Sequence, residues 1–324
     1  MTRILLSIFI STIFIANAFA EGSGGFSGSF LRIGLGARAM AMGNAQVANA
    51  TDGYGIYYNP AALPNLKDRQ FSLSYSDLSL DRNFNFVGLA VPLKPFAGAA
   101  VGWVSSGVDN LRSYNSSGQD TGEIDHGLNA FYASFALKII ALAQADHELM
   151  NLPTDLISIG VSIKFLKENV DDNEAFNYDG SGFGVDFGVM LKPHKKFSLG
   201  YQVKDLNASL TSNTNDIFDR GTEVENGFPV TQKVGVYFQT PLNGLAVAYD
   251  FEWSDKGTEK QHIGAEFGNT VAAGRLGYDD DHITLGGGLK FTALKKLRMA
   301  LDYAFLSDSV DEGVSHVFSW RFLF

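Results

Sequence analysis

From Phe71 to the C terminus the chain repeatedly alternates apolar residues with polar or small ones, the period of an extended strand. Ile157, Ile159, Val161, Ile163 and Phe165 alternate with Ser158, Gly160, Ser162 and Lys164. Phe183, Val185, Phe187, Val189 and Leu191 alternate with residues that include Asp186 and Lys192. Leu245, Val247, Tyr249, Phe251 and Trp253 alternate with Ala246, Ala248, Asp250 and Glu252. In the last strand Phe318, Trp320, Phe322 and Phe324 form one row, and Val317, Ser319, Arg321 and Leu323 the other. Successive strand side chains point to opposite faces, so one face is apolar and the other carries charge. In a soluble sandwich the apolar face meets a core; in a membrane barrel it meets lipid, and the charged face lines a polar lumen. The segments run about nine to eleven residues, the length a tilted strand needs to cross a bilayer.

Read this way, the chain holds about 14 strands. They lie near 71–77, 83–93, 96–105, 128–142, 156–166, 183–192, 196–205, 231–239, 244–253, 261–268, 271–278, 282–291, 296–305 and 314–324. The first three and the 128–142 segment alternate less clearly. The connections decide between the two architectures. Lys94-Pro95, Pro193 to Lys195, Thr240 to Asn243, Asn269-Thr270 and Thr292 to Lys295 are tight turns. Ser106–Gly127, Lys167–Gly182 and Leu206–Val230 are long and polar. Long and short connections alternate, as in bacterial barrels with short periplasmic turns and long outer loops. Ala143–Asp155 is the exception, a longer connection on the short-turn side. A two-sheet sandwich does not predict this alternation. The expectation is an all-β fold, an antiparallel transmembrane barrel at residues 69–324 with both ends of its wall on the periplasmic side.

The N terminus agrees. Arg3, the uncharged run from Ile4 to Ile15 and Asn17-Ala18-Phe19-Ala20 read as a secretory signal peptide over residues 1–20, cleaved before Glu21. The run is too short for a membrane-spanning helix, which needs about 20 residues. Its loss removes Arg3 and no acid, making the whole-chain net charge of −10 one unit more negative. That charge argues against a nucleic-acid partner, since phosphate binding needs a basic surface. No cysteine is present, hence neither a disulfide framework nor a lipid-attachment cysteine. The 35 glycines, 26 phenylalanines and 12 tyrosines suit strands with aromatic girdles and tight turns.

Residues 21–68 do not alternate. They are dominated by small residues from Gly34 to Ala48 and continue to Tyr57-Tyr58-Asn59-Pro60-Ala61-Ala62-Leu63-Pro64. Gly and Ala let a chain pass close to surrounding walls, and Asn-Pro marks a turn or helix start. Two places are open to this segment: a plug in the barrel lumen, or a periplasmic tail. The stretch GARAMAMGNAQVA through IYYNPAALP resembles the N-terminal hatch of the FadL-like outer-membrane transporters. Together with YQVKDLN, GRLGYDDDHITLGGGLKF, MALDYAF and SHVFSWRF it is similar to the PorV/PorQ group of that superfamily. The resemblance implies a 14-stranded barrel, closed by an N-terminal plug in which Asn59, Pro60 and Ala61 sit. For FadL it implies passage of hydrophobic or amphipathic small molecules across the outer membrane, with plug movement around Asn59-Pro60-Ala61. For PorV it implies binding of secreted proteins in type IX secretion. The terminal aromatics Phe318, Trp320, Phe322 and Phe324 resemble the signal handed to the barrel-insertion machinery. The expected setting is a monomeric barrel among outer-membrane lipids, with a hydrophobic ligand or secretion-system proteins as partners.

Catalytic chemistry finds little support. Ser315 and His316 are adjacent on a strand and point to opposite faces, so they cannot form a nucleophile–base pair. His126, His147, His194, His262 and His282 show no metal-ligand spacing. Asp279-Asp280-Asp281, or Asp171-Asp172 with Glu174, could hold a divalent cation or lipopolysaccharide-bridging ions, but solvated loop ends are the stronger reading. The expectation is therefore neither enzyme, nor cofactor, nor metal centre. Gly286-Gly287-Gly288 has no helix after it to make a phosphate cradle, so close packing against the plug is its reading. On the lumen face fall Lys164, Asp186, Lys192, Lys204, Lys233, Asp250, Glu252, Glu266, Arg275, Lys290, Arg298, Asp302 and Arg321. Their mixed signs predict salt bridges joining wall to wall and wall to plug rather than an open pore of one-sign selectivity; lining a ligand path is the alternative left open for a few of them.

Overall fold

A computed structural model describes residues 26–146, 152–171, 177–213, 222–293, 297–307 and 313–324. The expected signal peptide and residues 172–176, with Asp172 and Glu174, lie outside the described residues. No helix among those described is long and apolar enough to cross a membrane. The wall consists of antiparallel strands: β1 Gln70–Leu78, β2 Arg82–Leu93, β3 Ala97–Val108, β4 Asp125–Lys138, β5 Ile157–Asp171, β6 Asn177–His194 and β7 Phe197–Asn213. It continues as β8 Thr231–Gln239, β9 Leu245–Ser254, β10 Glu259–Gly268, β11 Ala272–Asp279, β12 His282–Ala293, β13 Leu297–Ser307 and β14 Val314–Leu323. Each pairs with its neighbours in sequence, and β14 returns to β1, closing the barrel. Closing the ring is what a bilayer demands of strands.

The outward row of every strand is apolar. Val101, Trp103, Phe131, Phe135, Val161, Ile163, Phe165, Leu276, Leu285 and Leu289 are exposed. A continuous apolar belt of this kind is far larger than the patches soluble monomers leave bare, and lipid is the solvent that suits it. The aromatic rows meet across strands, Tyr303 on Phe318 at 5.2 Å and Trp103 stacked on Phe131 at 6.1 Å between centroids. In β14 Phe318 and Phe324 are exposed and Val317, Ser319 and Arg321 buried, the register expected from the alternation.

Two expectations about elements need correction. The 128–142 strand ends at Lys138, and Ile139–Asp146 is a helix (α3). The β3–β4 ladder ends at Ala97↔Leu137, and the run Ile139-Ile140-Ala141-Leu142-Ala143-Gln144 is rich in good helix formers. Much of the expected loops is strand: β5 runs on to Asp171, β6 begins at Asn177 and β7 reaches Asn213. Beyond the belt the outward face no longer meets lipid and need not be apolar, so the apolar–polar alternation that marks a membrane strand fades. The Ser106–Gly127 loop carries its own hairpin, Arg112–Tyr114 against Asp120–Glu123.

The β7–β8 ladder is interrupted. It runs from Phe197↔Phe238 to Lys204↔Thr231. A further strand, Glu223–Gly227, then pairs with the outer part of β7. Asp205 and Asn207 at the break take positive φ of 63° and 51°, which these two residue types tolerate. Phe228 points inward there and packs over Gly28 in a buried cluster with Phe30 and Leu210.

Residues 26–66 take no part in the wall. They form short helical turns at Ser29–Arg32, Ala37–Met40 (α1), Gly55–Tyr58 (α2) and Pro60–Asn65. Almost every residue from Leu35 to Leu63 is buried. Hydrogen bonds tie this segment to inward residues around the circumference: Ala37 to Ser319, Gly43 to Thr284, Gln46 to Asp250, Ala48 to Ser198, Tyr57 to Gln202 and Ile56 to Ser162. The segment therefore lies inside the ring of strands. Bare glycine backbone on the wall admits it. A Cβ on Gly98, Gly160, Gly188, Gly200, Gly264 or Gly277 would collide with residues 42–64. Gly286 faces Ala41 in the same way, whereas Gly288 makes room for Asp302 and Arg275.

Candidate functional site

The Asn59-Pro60-Ala61 triplet sits deep in the lumen, and helix-start chemistry explains its form. The Asn59 side chain accepts from Ala61 N at 3.1 Å, capping the Pro60–Asn65 turn, and Pro60 occupies the first position. Its Nδ2 donates to Val47 O at 2.8 Å and to Val189 O of β6 at 3.1 Å. One side chain thus joins two parts of the lumenal segment to each other and to the wall. Phe318, Trp320, Phe322 and Phe324 lie on the outer surface, remote from this seat.

Above the segment, at the end with the long connections, lies a cavity of about 410 Å³. Its floor includes Met40, Tyr57 and Tyr58, and its walls carry Lys204, Lys233 and His262. This vestibule is polar. Lys233 Nζ pairs with Glu252 at 2.7 Å, and His262 stands between Glu252 at 3.5 Å and Asp279 at 2.7 Å. His262 also reaches Gly43 O at 3.1 Å, and Asn44 Nδ2 donates to Asp279 at 2.5 Å. Tyr58 donates to Asn44 and receives Leu35 N, while Tyr57 donates to Leu31 O. Burial pushes both phenols well above their ordinary range, so they stay neutral donors. Lys204 lies 3.7 Å above the Tyr57 ring and donates to Leu31 O. Arg32, on the first helical turn, reaches the Ser27 and Phe26 carbonyls at 3.3 and 3.4 Å.

Two more charge clusters lie in the lumen. Lys164 Nζ is buried between Asp186 at 2.7 Å and Asp205 at 2.5 Å, locking β5, β6 and the broken part of β7. Deeper than the vestibule, His262 and Asp279 give way along β10 and β11 to Glu266 and Arg275. There Arg38 pairs with Glu266 at 3.0 Å and Arg275 with Glu266 at 2.6 Å. Arg275 pairs with Asp302 at 2.8 Å, Arg321 with Asp302 at 2.9 Å and Arg321 with Asp52 at 3.0 Å. Arg38 and Asp52, 3.7 Å apart, close the circle. Arginine forks suit such shared carboxylates.

Most of the expected inward charges fall into these clusters or, like Asp250, bond the segment's backbone. Lys192 is half-buried, and Lys290 is exposed towards the short-turn end. Arg298 has the expected register but reaches the rim, where it pairs with Asp68 at 2.6 Å. Ser315 lines the vestibule, whereas His316 points outward to the Tyr303 hydroxyl at 2.8 Å. Among the described residues no group of acidic or histidine side chains is arranged to hold a metal. Sequence reading missed Arg38, Asp52 and Arg32. Arg38 carried a usable signal: it is the only charged residue between Gly34 and Thr51, among small and apolar neighbours that predict burial.

No family model matches the sequence, and no curated protein does. Solved structures do. The P. putida toluene transporter TodX matches with a TM-score of 0.61 at 14% identity, over 90% of this chain and 99% of that one. The monoaromatic hydrocarbon channel CymD gives 0.59 at 14% identity, over 90% and 98%. A Pseudomonas aeruginosa FadL homologue gives 0.59 at 12% identity, over 86% and 95%. At such identities the likeness establishes a shared barrel fold.

Proposed function

We propose that this chain is an outer-membrane channel for small amphipathic molecules, its N-terminal segment (residues 21–68) acting as a plug. The observation that carries this reading is the vestibule of about 410 Å³, open at the long-loop end and floored by a plug that no wall strand contains. Fold likeness to channels for toluene and other monoaromatic hydrocarbons supports transport as the class. The lining argues for a polar group on the cargo. A wholly apolar molecule seated against Lys204, Lys233, Glu252 and His262 would strip water from charges and return no hydrogen bond. An amphipathic one can place its head there and its tail by the apolar floor of Met40 and Ile33. Type IX secretion rests on the sequence resemblance alone.

In this reading the short-turn end faces the periplasm and the aromatic row ending in Phe324 directs insertion as a monomer. Uptake of octanoate, octylamine, octanol and octane by intact cells, with and without the protein, tests it. Faster entry of the headgroup-bearing probes is expected. Entry unchanged for every probe would refute transport, and acceleration of octane alone would refute the amphipathic class.

A further inference from the structure

The short-turn end carries charge that the lumen does not use. The chain holds 35 acids against 25 basic residues, yet the connections between β2 and β7 at this end run the other way. Lys94 stands on the β2–β3 turn, Lys138 at the end of β4, and Lys192, Lys195 and Lys196 where β6 turns into β7. In the described part of these three connections only Asp146 and Asp155 oppose them. Inside the lumen Lys164 and Lys233 each grip a carboxylate. None of the five rim lysines makes a salt bridge among the described residues, and Asp155 lies near Lys192 without closing one. Lys94, Lys195 and Lys196 are exposed; Lys138 and Lys192 are half-buried.

Backbone bonds join these residues into one stretch of rim. Lys138 N donates to Phe96 O of the β2–β3 turn at 2.7 Å, and Lys192 N to Leu156 O at 2.8 Å. From that turn to the β6–β7 turn is a distance of four strand spacings, or about 20 Å of circumference. Between the lysines lies α3, Ile139–Asp146. It continues β4, whose outward Phe131 and Phe135 belong to the lipid-facing belt. Leu142 on the helix, Leu152 after it and Leu93 beside Lys94 are exposed, and Gln144 ties the helix to Leu152 O at 3.1 Å. One bare leucine would mean little, but these extend the belt past the end of the β3–β4 ladder. Apolar side chains bordered by unpaired lysines compose a surface that rests in the boundary of an anionic leaflet. The opposite sector of the rim supplies the contrast. Leu242 and Val271 are exposed there, and residues 239–244 and 268–271 contain no charge. Contact with lipid alone therefore does not call for the lysines.

We propose that α3 and the lysines flanking it form a binding site for anionic phospholipid. Leu142 and Leu152 enter the acyl region of the leaflet at the short-turn end, and Lys94, Lys138, Lys195 and Lys196 hold the phosphodiester groups. A lysine stem can lie along apolar surface while its ammonium stays in the headgroup layer. Net charge sets the preference: a zwitterionic headgroup brings a cation of its own to the lysines, and an anionic one does not. The site goes beyond the transport reading and stands whether or not anything crosses the lumen.

The cysteine-free chain accepts a single reporter. Leu142→Cys carrying bimane is placed in vesicles of equimolar phosphatidylcholine and phosphatidylglycerol, with a nitroxide on the acyl chain of one lipid or the other. Nitroxide phosphatidylglycerol is expected to quench at a concentration at least about fivefold lower than nitroxide phosphatidylcholine, the preference one lysine beside an anionic surface provides. That preference should fall at least about twofold in 1 M salt, where screening acts over about 3 Å. It should fall likewise when Lys94, Lys195 and Lys196 are replaced by Gln. Bimane at Leu242→Cys should be quenched equally by both lipids, and its quenching in the triple variant shows that barrel inserted. Coincident curves at position 142 in low salt would overturn the anionic class. No quenching there by either lipid would put α3 in water, overturn the membrane site and leave the lysines to an acidic protein. A preference that neither salt nor the three substitutions lower would overturn the role of the lysines.

Discussion

Replacing Asn59 separates a structural seat from a moving part. Asn59→Ala removes the cap on the Pro60–Asn65 turn and the donor shared by Val47 O and Val189 O. Loss of an N-cap costs about 1 kcal/mol. Two buried carbonyls losing a partner add about 1 kcal/mol each. Docking of this half is then weaker by about 3 kcal/mol, which raises the undocked population about 100-fold. Asn59→Asp is the sharper control. It keeps an oxygen for Ala61 N but turns a carboxylate towards two carbonyl oxygens, so it should undock more than Ala does. Chymotryptic cleavage after Tyr57, buried in the parent, reads that population when reclosing is fast. Cleavage of both variants within a factor of about two of the parent would refute the seat. Greater resistance of Asn59→Asp than of Asn59→Ala would refute the hydrogen-bond assignment.

Gly188→Val should cost about 1–3 kcal/mol of barrel stability by driving a side chain into Asn59, while Gly274→Val, on open outer surface, should be near neutral. Urea titration of vesicle-inserted protein distinguishes them. Lys164→Met leaves Asp186 and Asp205 buried without their cation, a loss of about 3–5 kcal/mol, and adding Asp186→Asn should restore part of it in the same titration. Phe324→Ser should lower the folded outer-membrane yield more than Leu323→Ser, because Phe324 continues the outward row; equal yields would contradict the insertion role.

The wall was legible because lipid outside and water inside impose opposite demands on alternate residues. Each expected strand from 71–77 to 314–324 has its counterpart. Legibility failed where that contrast fades. Lys167 to Asp171 reads as loop although it extends β5, since neither face there meets lipid. Ile139 to Leu142 reads as strand because it is apolar, but the ladder beside it has ended. Inward charges were visible one by one; their partners were not, for Arg38 and Glu266 stand 228 residues apart. Local spacing carries no information about a pair made by closing a barrel. The break at Asp205–Asn207 left no sign either, because both residues also suit an ordinary loop start.

The account depends on a barrel set in the outer membrane with its vestibule facing outward. Single cysteines at Asp281, beside the vestibule, and at Asn243, in a short turn, report this directly in the cysteine-free chain. A membrane-impermeant maleimide added to intact cells is predicted to label Asp281→Cys fully. It should label Asn243→Cys only after the outer membrane is opened. Labelling of Asn243→Cys in intact cells with Asp281→Cys protected would contradict the orientation, and protection of both until osmotic release would contradict the outer-membrane barrel itself.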